Sequence, residues 1–120
     1  MDIKKFIFSC PYCDGILSQN GVIRLKTERT NGDIGEINLS TSFGNYKYDH
    51  VPVVTFEKGE IVEFICPHCD TNLDSEEYLH FAQVKMKVDE NIEFDVIFSR
   101  KAGLRKTYVI TEDGIESYGG

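Results

Sequence analysis

The chain has 120 residues, of which 41% are hydrophobic, and carries a formal charge of −7. That length suits one domain, residues 1–120, around one main core. The acidic balance counts against a nucleic-acid binder, which usually presents a basic face, and no apolar run approaches the roughly 20 residues of a membrane-spanning helix.

Strand signals dominate along the chain. Met1-Asp2-Ile3-Lys4-Lys5 runs into only three apolar residues, so no secretory leader is visible and a cytoplasmic setting is expected. Phe6–Ser9 reads as a short strand leading into Cys10. Val22–Arg29 alternates Ile23, Leu25 and Thr27 with Arg24, Lys26 and Glu28, and Gly35–Leu39 is its expected return after the turn residues Thr30–Asp33. Val51–Phe56 and Ile61–Ile65 flank Glu57-Lys58-Gly59-Glu60 and read as a second hairpin. Asp74–Leu79 reads as one helical turn, because Asp74 or Ser75 can cap it and acids follow.

The C-terminal third reads as a meander. Phe81–Val88 and Ile92–Phe98 alternate, the chain turns at Ser99–Gly103, Leu104–Thr111 returns, and Ile115–Tyr118 follows a turn at Glu112–Gly114. Ala82, Val84, Met86 and Val88, with Ile92, Phe94, Val96 and Phe98, are expected against the core. Lys85, Lys87, Glu93 and Asp95 are expected in water. Ile97 interrupts that polar face and predicts an exposed apolar strip, a surface for a homo-oligomer through the C-terminal sheet. The predicted fold is all-β. A ribbon-like half spans residues 1–79, a meander spans 80–120, and there is at most one short helix.

All four cysteines fall in two like segments, Cys10-Pro11-Tyr12-Cys13-Asp14 and Cys66-Pro67-His68-Cys69-Asp70, each ending in a leucine at the same offset, Leu17 and Leu73. Two thiolates two residues apart can chelate one ion from a tight turn whose amides offset their charge. Two such turns make a closed tetrathiolate site with no position left for substrate water. The predicted metal ligands are therefore Cys10, Cys13, Cys66 and Cys69. Zn²⁺ is the expected metal and Fe the alternative, since soft thiolates suit both. Residues 14–65 separate the pairs, so folded β-structure must bring them together.

These two C-P-x-C segments resemble the knuckles of zinc-ribbon and rubredoxin-like proteins, in which a pair of them clamps one ion. The resemblance covers Phe6–Leu17 and Ile61–Leu73. Those proteins commonly carry glycine after the second cysteine, where this chain has Asp14 and Asp70. Leu39–Tyr46 with Gly59–Phe64 also resembles a group of small bacterial proteins of unassigned function, which implies no activity.

His68, between two ligand positions, is expected to point away from the ion. His50 and His80 are expected to be ordinary surface or half-buried residues. The aromatic cluster Phe43–Tyr48 is expected to cover a small core or the metal. Arg100, Lys101, Arg105 and Lys106 read as a solvated hairpin tip. No G-x-S-x-G, H-E-x-x-H or P-loop occurs, and no cysteine is left over as a nucleophile, so the chain is not expected to be an enzyme. Three functions compete: a protein-interaction module with a structural Zn²⁺, a rubredoxin-like iron electron carrier, and a nucleic-acid-binding zinc ribbon, the last disfavoured by charge.

Overall fold

The computed structural model describes residues 6–41, 47–104 and 106–118. These residues form ten strands and no helix: β1 (Ile7–Ser9), β2 (Ser18–Gln19), β3 (Val22–Glu28), β4 (Ile34–Ser40), β5 (Tyr48–Val51), β6 (Glu63–Ile65), β7 (Phe81–Asp89), β8 (Ile92–Ser99), β9 (Thr107–Thr111) and β10 (Gly114–Tyr118). Among them no helix is long and apolar enough to cross a membrane.

Two antiparallel sheets result. One has the order β1-β7-β8-β9-β10, and the other runs β2-β3-β4-β5 with β6 also pairing β3. The long hairpins follow from local sequence. In β3 the buried residues Ile23, Leu25 and Thr27 alternate with Arg24, Lys26 and Glu28, so one face enters the core. In β7 Ala82, Val84 and Met86 do the same. Phe8 from β1 and Phe64 from β6 join these side chains, with Cys10, Cys66, Leu17 and Leu73, in one hydrophobic cluster. The apolar faces of both sheets are thereby shared in one core.

Pairing departs from chain order at two places. Beyond its bridge from Ser9 to Ile16, β1 leaves the hairpin that follows it. It joins the meander, with Ser9 opposite Lys85. β6 pairs β3, with Ile65 opposite Lys26. The expected hairpin between Val51–Phe56 and Ile61–Ile65 is therefore absent. β5 stops at Val51 and pairs β4, because Pro52 lacks the amide needed to continue the ladder. Residues 57–60 turn instead against the 100–104 turn, where Gly59 N–H donates to Ala102 O at 2.8 Å and Ala102 N–H to Glu60 O at 2.7 Å.

Three further expectations are corrected. Asp74–Leu79 is not a helical turn. Asp74 bridges to Ala82, and Ser75 N–H donates to Phe81 O at 2.8 Å, so the segment is the bend of a broad hairpin. Ile97 is 1% exposed, so the apolar strip expected around it is not open to water. Its cross-strand neighbours are Gln83 and Tyr108, and the Tyr108 ring lies 5.7 Å from Phe81. Arg100 is buried rather than solvated, with Nη1 2.9 Å from both Glu63 and Asp74. On the β7–β8 faces, Ala82, Val84, Met86 and Val96 are buried as expected, Val88, Phe94 and Phe98 partly so, and Ile92 is exposed; Glu93 and Asp95 reach water, while Lys85 and Lys87 are half-buried. Phe43–Tyr46 and Arg105 lie outside the described residues; Tyr48 is exposed, with its ring 5.8 Å from Phe56.

Candidate metal centre

Both cysteine segments fold as the same turn. Cys10 N–H donates to Gly15 O at 2.9 Å, Asp14 N–H to Cys10 O at 2.9 Å, and Leu17 N–H to Phe8 O at 2.8 Å. In the second segment Cys66 N–H donates to Thr71 O at 3.0 Å, Asp70 N–H to Cys66 O at 2.9 Å, and Leu73 N–H to Phe64 O at 2.8 Å. Asp14 and Asp70 sit at the matching left-handed position, with φ of 62° and 59°. Aspartate tolerates that region better than most residues other than glycine, which is why the chain departs from glycine there without losing the turn.

The turns aim amides at sulfur. Tyr12 N–H reaches Cys10 Sγ at 3.4 Å, Gly15 N–H reaches Cys13 Sγ at 3.4 Å, and His68 N–H reaches Cys66 Sγ at 3.3 Å. Thr71 Oγ1 lies 3.2 Å from Cys69 Sγ. Such amide donors stabilise thiolate over thiol.

The fold brings all four predicted ligands together. Their sulfurs lie within 4.8 Å of one another. The short approaches cross between turns: Cys10 Sγ to Cys69 Sγ is 3.8 Å, and Cys13 Sγ to Cys66 Sγ is 3.7 Å. These separations far exceed the ~2.05 Å of a disulfide bond, and all four cysteines are free. A tetrahedron with metal–sulfur bonds of ~2.3 Å has an edge of about 3.8 Å. The two cross-turn separations match that edge, so the four cysteines could hold a single ion.

Burial divides the four. Cys10 and Cys66 are buried against the core, while Cys13 and Cys69 reach the surface. Burial pushes the Cys66 thiol up to about 12. The Thr71 hydroxyl and amide pull Cys69 down to about 6. A metal entering this site at neutral pH must displace a proton from Cys66, so its affinity rises with pH.

Among the described residues the ligand cluster holds cysteines only. His68 stands beside it in a role the sequence did not disclose. Its Nε2–H donates to Ile16 O at 2.7 Å, tying the second turn to the first. Gly15 makes room for the ring, since a Cβ there would lie 2.7 Å from His68 Cδ2. His50, expected to be a surface or half-buried residue, is 8% exposed and sits on β5 opposite Ile37 of β4. Its Nδ1–H donates to Pro52 O at 2.7 Å, and its Nε2, also at 2.7 Å, accepts from the Thr27 hydroxyl. Both ring nitrogens are thus satisfied, which permits burial.

Compared with protein-family models, curated proteins and solved structures, the chain finds no match.

Proposed function

We propose that Cys10, Cys13, Cys66 and Cys69 hold one structural Zn²⁺, and that this small cytoplasmic protein serves as an interaction module for another protein. The sulfur spacing carries the metal reading: cross-turn separations of 3.7 and 3.8 Å match the edge of a tetrathiolate tetrahedron. Four thiolates complete the coordination shell, so bound zinc would supply cross-linking and no open position for hydrolysis. The net charge of −7 favours a basic protein surface over nucleic acid as partner. Tyr12 and Ile16, 54% and 58% exposed beside the turns, offer apolar contact there.

The iron reading keeps one supporting observation. Exposed Cys13 and Cys69 would give an iron centre an edge at the surface, as electron exchange needs. Elemental analysis and visible absorption of protein purified without added metal separate the two. One equivalent of zinc and a colourless solution support the proposal. A ferric thiolate spectrum replaces it with the iron carrier, and four titratable thiols without metal overturn both.

A further inference from the structure

The two cysteine turns are the most visible part of a longer repeat. After each turn the chain makes a hairpin bend and then a long strand. Leu17 O accepts from Arg24 N–H at 2.9 Å, and Leu73 O accepts from Gln83 N–H at 2.8 Å. Ser18 pairs Ile23 across the first bend, and Asp74 pairs Ala82 across the second. Ile23, Leu25 and Thr27 thus take the places that Ala82, Val84 and Met86 take later, and all six are buried. β3 continues into β4 as β7 continues into β8.

The first strand of each half is exchanged. β1 of the first half pairs β7 of the second, and β6 of the second half pairs β3 of the first. The exchange is in register. Ser9, just before Cys10, faces Lys85, and Ile65, just before Cys66, faces Lys26. Each lysine also faces an acid on its hairpin partner strand, Asp95 for Lys85 and Glu36 for Lys26. Each then reaches the aspartate that follows the opposite half's second cysteine. Lys85 Nζ lies 2.9 Å from Asp14 Oδ1, and Lys26 Nζ lies 2.5 Å from Asp70 Oδ1.

We infer that the chain is a fused pair of like halves that exchange their knuckle strands, and that Lys26 and Lys85 are equivalent positioning residues, each tying the opposite half's cysteine turn into place for a shared ion. The same ion pairs explain why aspartate stands at both left-handed positions. Glycine would satisfy the backbone there, but only aspartate also gives the lysine a partner. The two pairs arise independently on different sheets, which sets them apart from scattered surface contacts.

This inference rests on the metal reading, and the test separates the two. The full chain is loaded with Zn²⁺, and release into excess chromophoric chelator is timed for wild type, Lys26→Met, Lys85→Met, the double variant and Lys58→Met, which removes an exposed charge from the 57–60 turn. Each knuckle variant should release zinc about three-fold faster than wild type and the double variant about ten-fold, the scale of one and two exposed ion pairs. Lys85→Arg should restore the wild-type rate, and the Co²⁺ spectrum should keep its tetrathiolate form throughout. Release from Lys26→Met and Lys85→Met at the rate of Lys58→Met overturns the inference, as does an effect confined to one of the two. A wild-type chain that takes up no Zn²⁺ fails at the first step, and there the metal reading falls and the positioning role with it.

Discussion

Replacing an exposed cysteine discriminates a metal centre from four packed thiols. Cys66 has 0% exposure, while Cys13 lies at the surface. Without a metal, Cys13→Ser exchanges one exposed polar atom for another and should change stability by no more than about 0.5 kcal/mol. Cys66→Ser would then bury a hydroxyl among Phe8, Phe64 and Leu73 at a cost of about 1–3 kcal/mol. With zinc bound each variant additionally loses one of four metal–sulfur bonds, on top of its own cost as a packed side chain. Apparent structural zinc binding of ~10–16 kcal/mol, spread over four thiolates, is roughly 3 kcal/mol per ligand. That is a large part of the 5–15 kcal/mol stability of an ordinary domain. Thermal and urea melts of both variants in a zinc buffer, repeated with chelator, measure the difference. Losses that are larger in zinc than in chelator by about 3 kcal/mol for both variants support the metal centre. A Cys13→Ser variant that melts with wild type in zinc refutes it.

Other consequences are as direct. His68→Ala should retain one metal equivalent and lose about 1 kcal/mol, the value of one hydrogen bond; a variant purified without metal would place His68 in the coordination shell. Glu60, with a side chain only 7% exposed, accepts from Arg29 Nε at 2.8 Å and Nη2 at 3.0 Å, and this pairing holds its carboxyl below the usual range. Glu60→Gln should therefore cost about 2 kcal/mol at pH 7, and the gap to wild type should start to close once pH falls below the free-glutamate value of about 4.3 and close fully only through the lowered range in which the paired native carboxylate takes up its proton; a gap that persists in acid would assign the loss to packing. Gly35→Ala would place a Cβ 2.5 Å from His50 Cε1 and 2.6 Å from Val51 O, so urea melts should show a loss of about 1–3 kcal/mol from overpacking, and an unchanged midpoint would mean β5 shifts freely. A zinc-loaded chain cut by a protease site built in between Val53 and Thr55 should still elute as one particle, because β1 and β6 lie in the opposite half's sheet; two separate fragments would contradict the exchange.

Those features legible in the sequence were the ones encoded within a few residues. The cysteine spacing named the four sulfurs that the fold gathers, and period-two alternation marked β3, β7 and β8. Errors arose where a distant partner decided the outcome. Val51–Phe56 and Ile61–Ile65 form a plausible local hairpin, yet Ile65 pairs Lys26, far back in the chain. The acids after Asp74 suit a helical turn, but Ser75 and Phe81 close a hairpin bend instead. His50 gave no sign of burial because its partner, Thr27, belongs to another strand. Arg100 read as part of a solvated basic tip, whereas Glu63 and Asp74 draw it inward. Ile97 read as an exposed break in a polar face, whereas Tyr108 and Gln83 stand on either side of it.

The exchange also fixes what a bound ion would contribute. β1 and β6 are three residues each, too short for their ladders to be stable alone. Both must find strands far away in sequence, Ile7 opposite Lys87 and Ile65 opposite Lys26. Closing such long loops costs entropy before the core rewards it. Hydrophobic burial anchors one side of each short strand through Phe8 and Phe64. The end of each strand runs directly into a cysteine, Ser9 into Cys10 and Ile65 into Cys66. One ion joining those ends would close both loops at once. It would do so at the margin of the core, with two sulfurs inside and two at the surface. Its stabilising effect would then come from binding energy gained only in the folded chain, since the unfolded chain presents no preformed site, added to a core that both halves already share. By this reasoning removal of the metal first frees the two exchanged strands, and hydrogen exchange after chelation should rise earliest at β1 and β6 while β3–β4 and β7–β8 remain protected. Uniform loss of protection across all four long strands would show instead that the metal and the core form one inseparable unit.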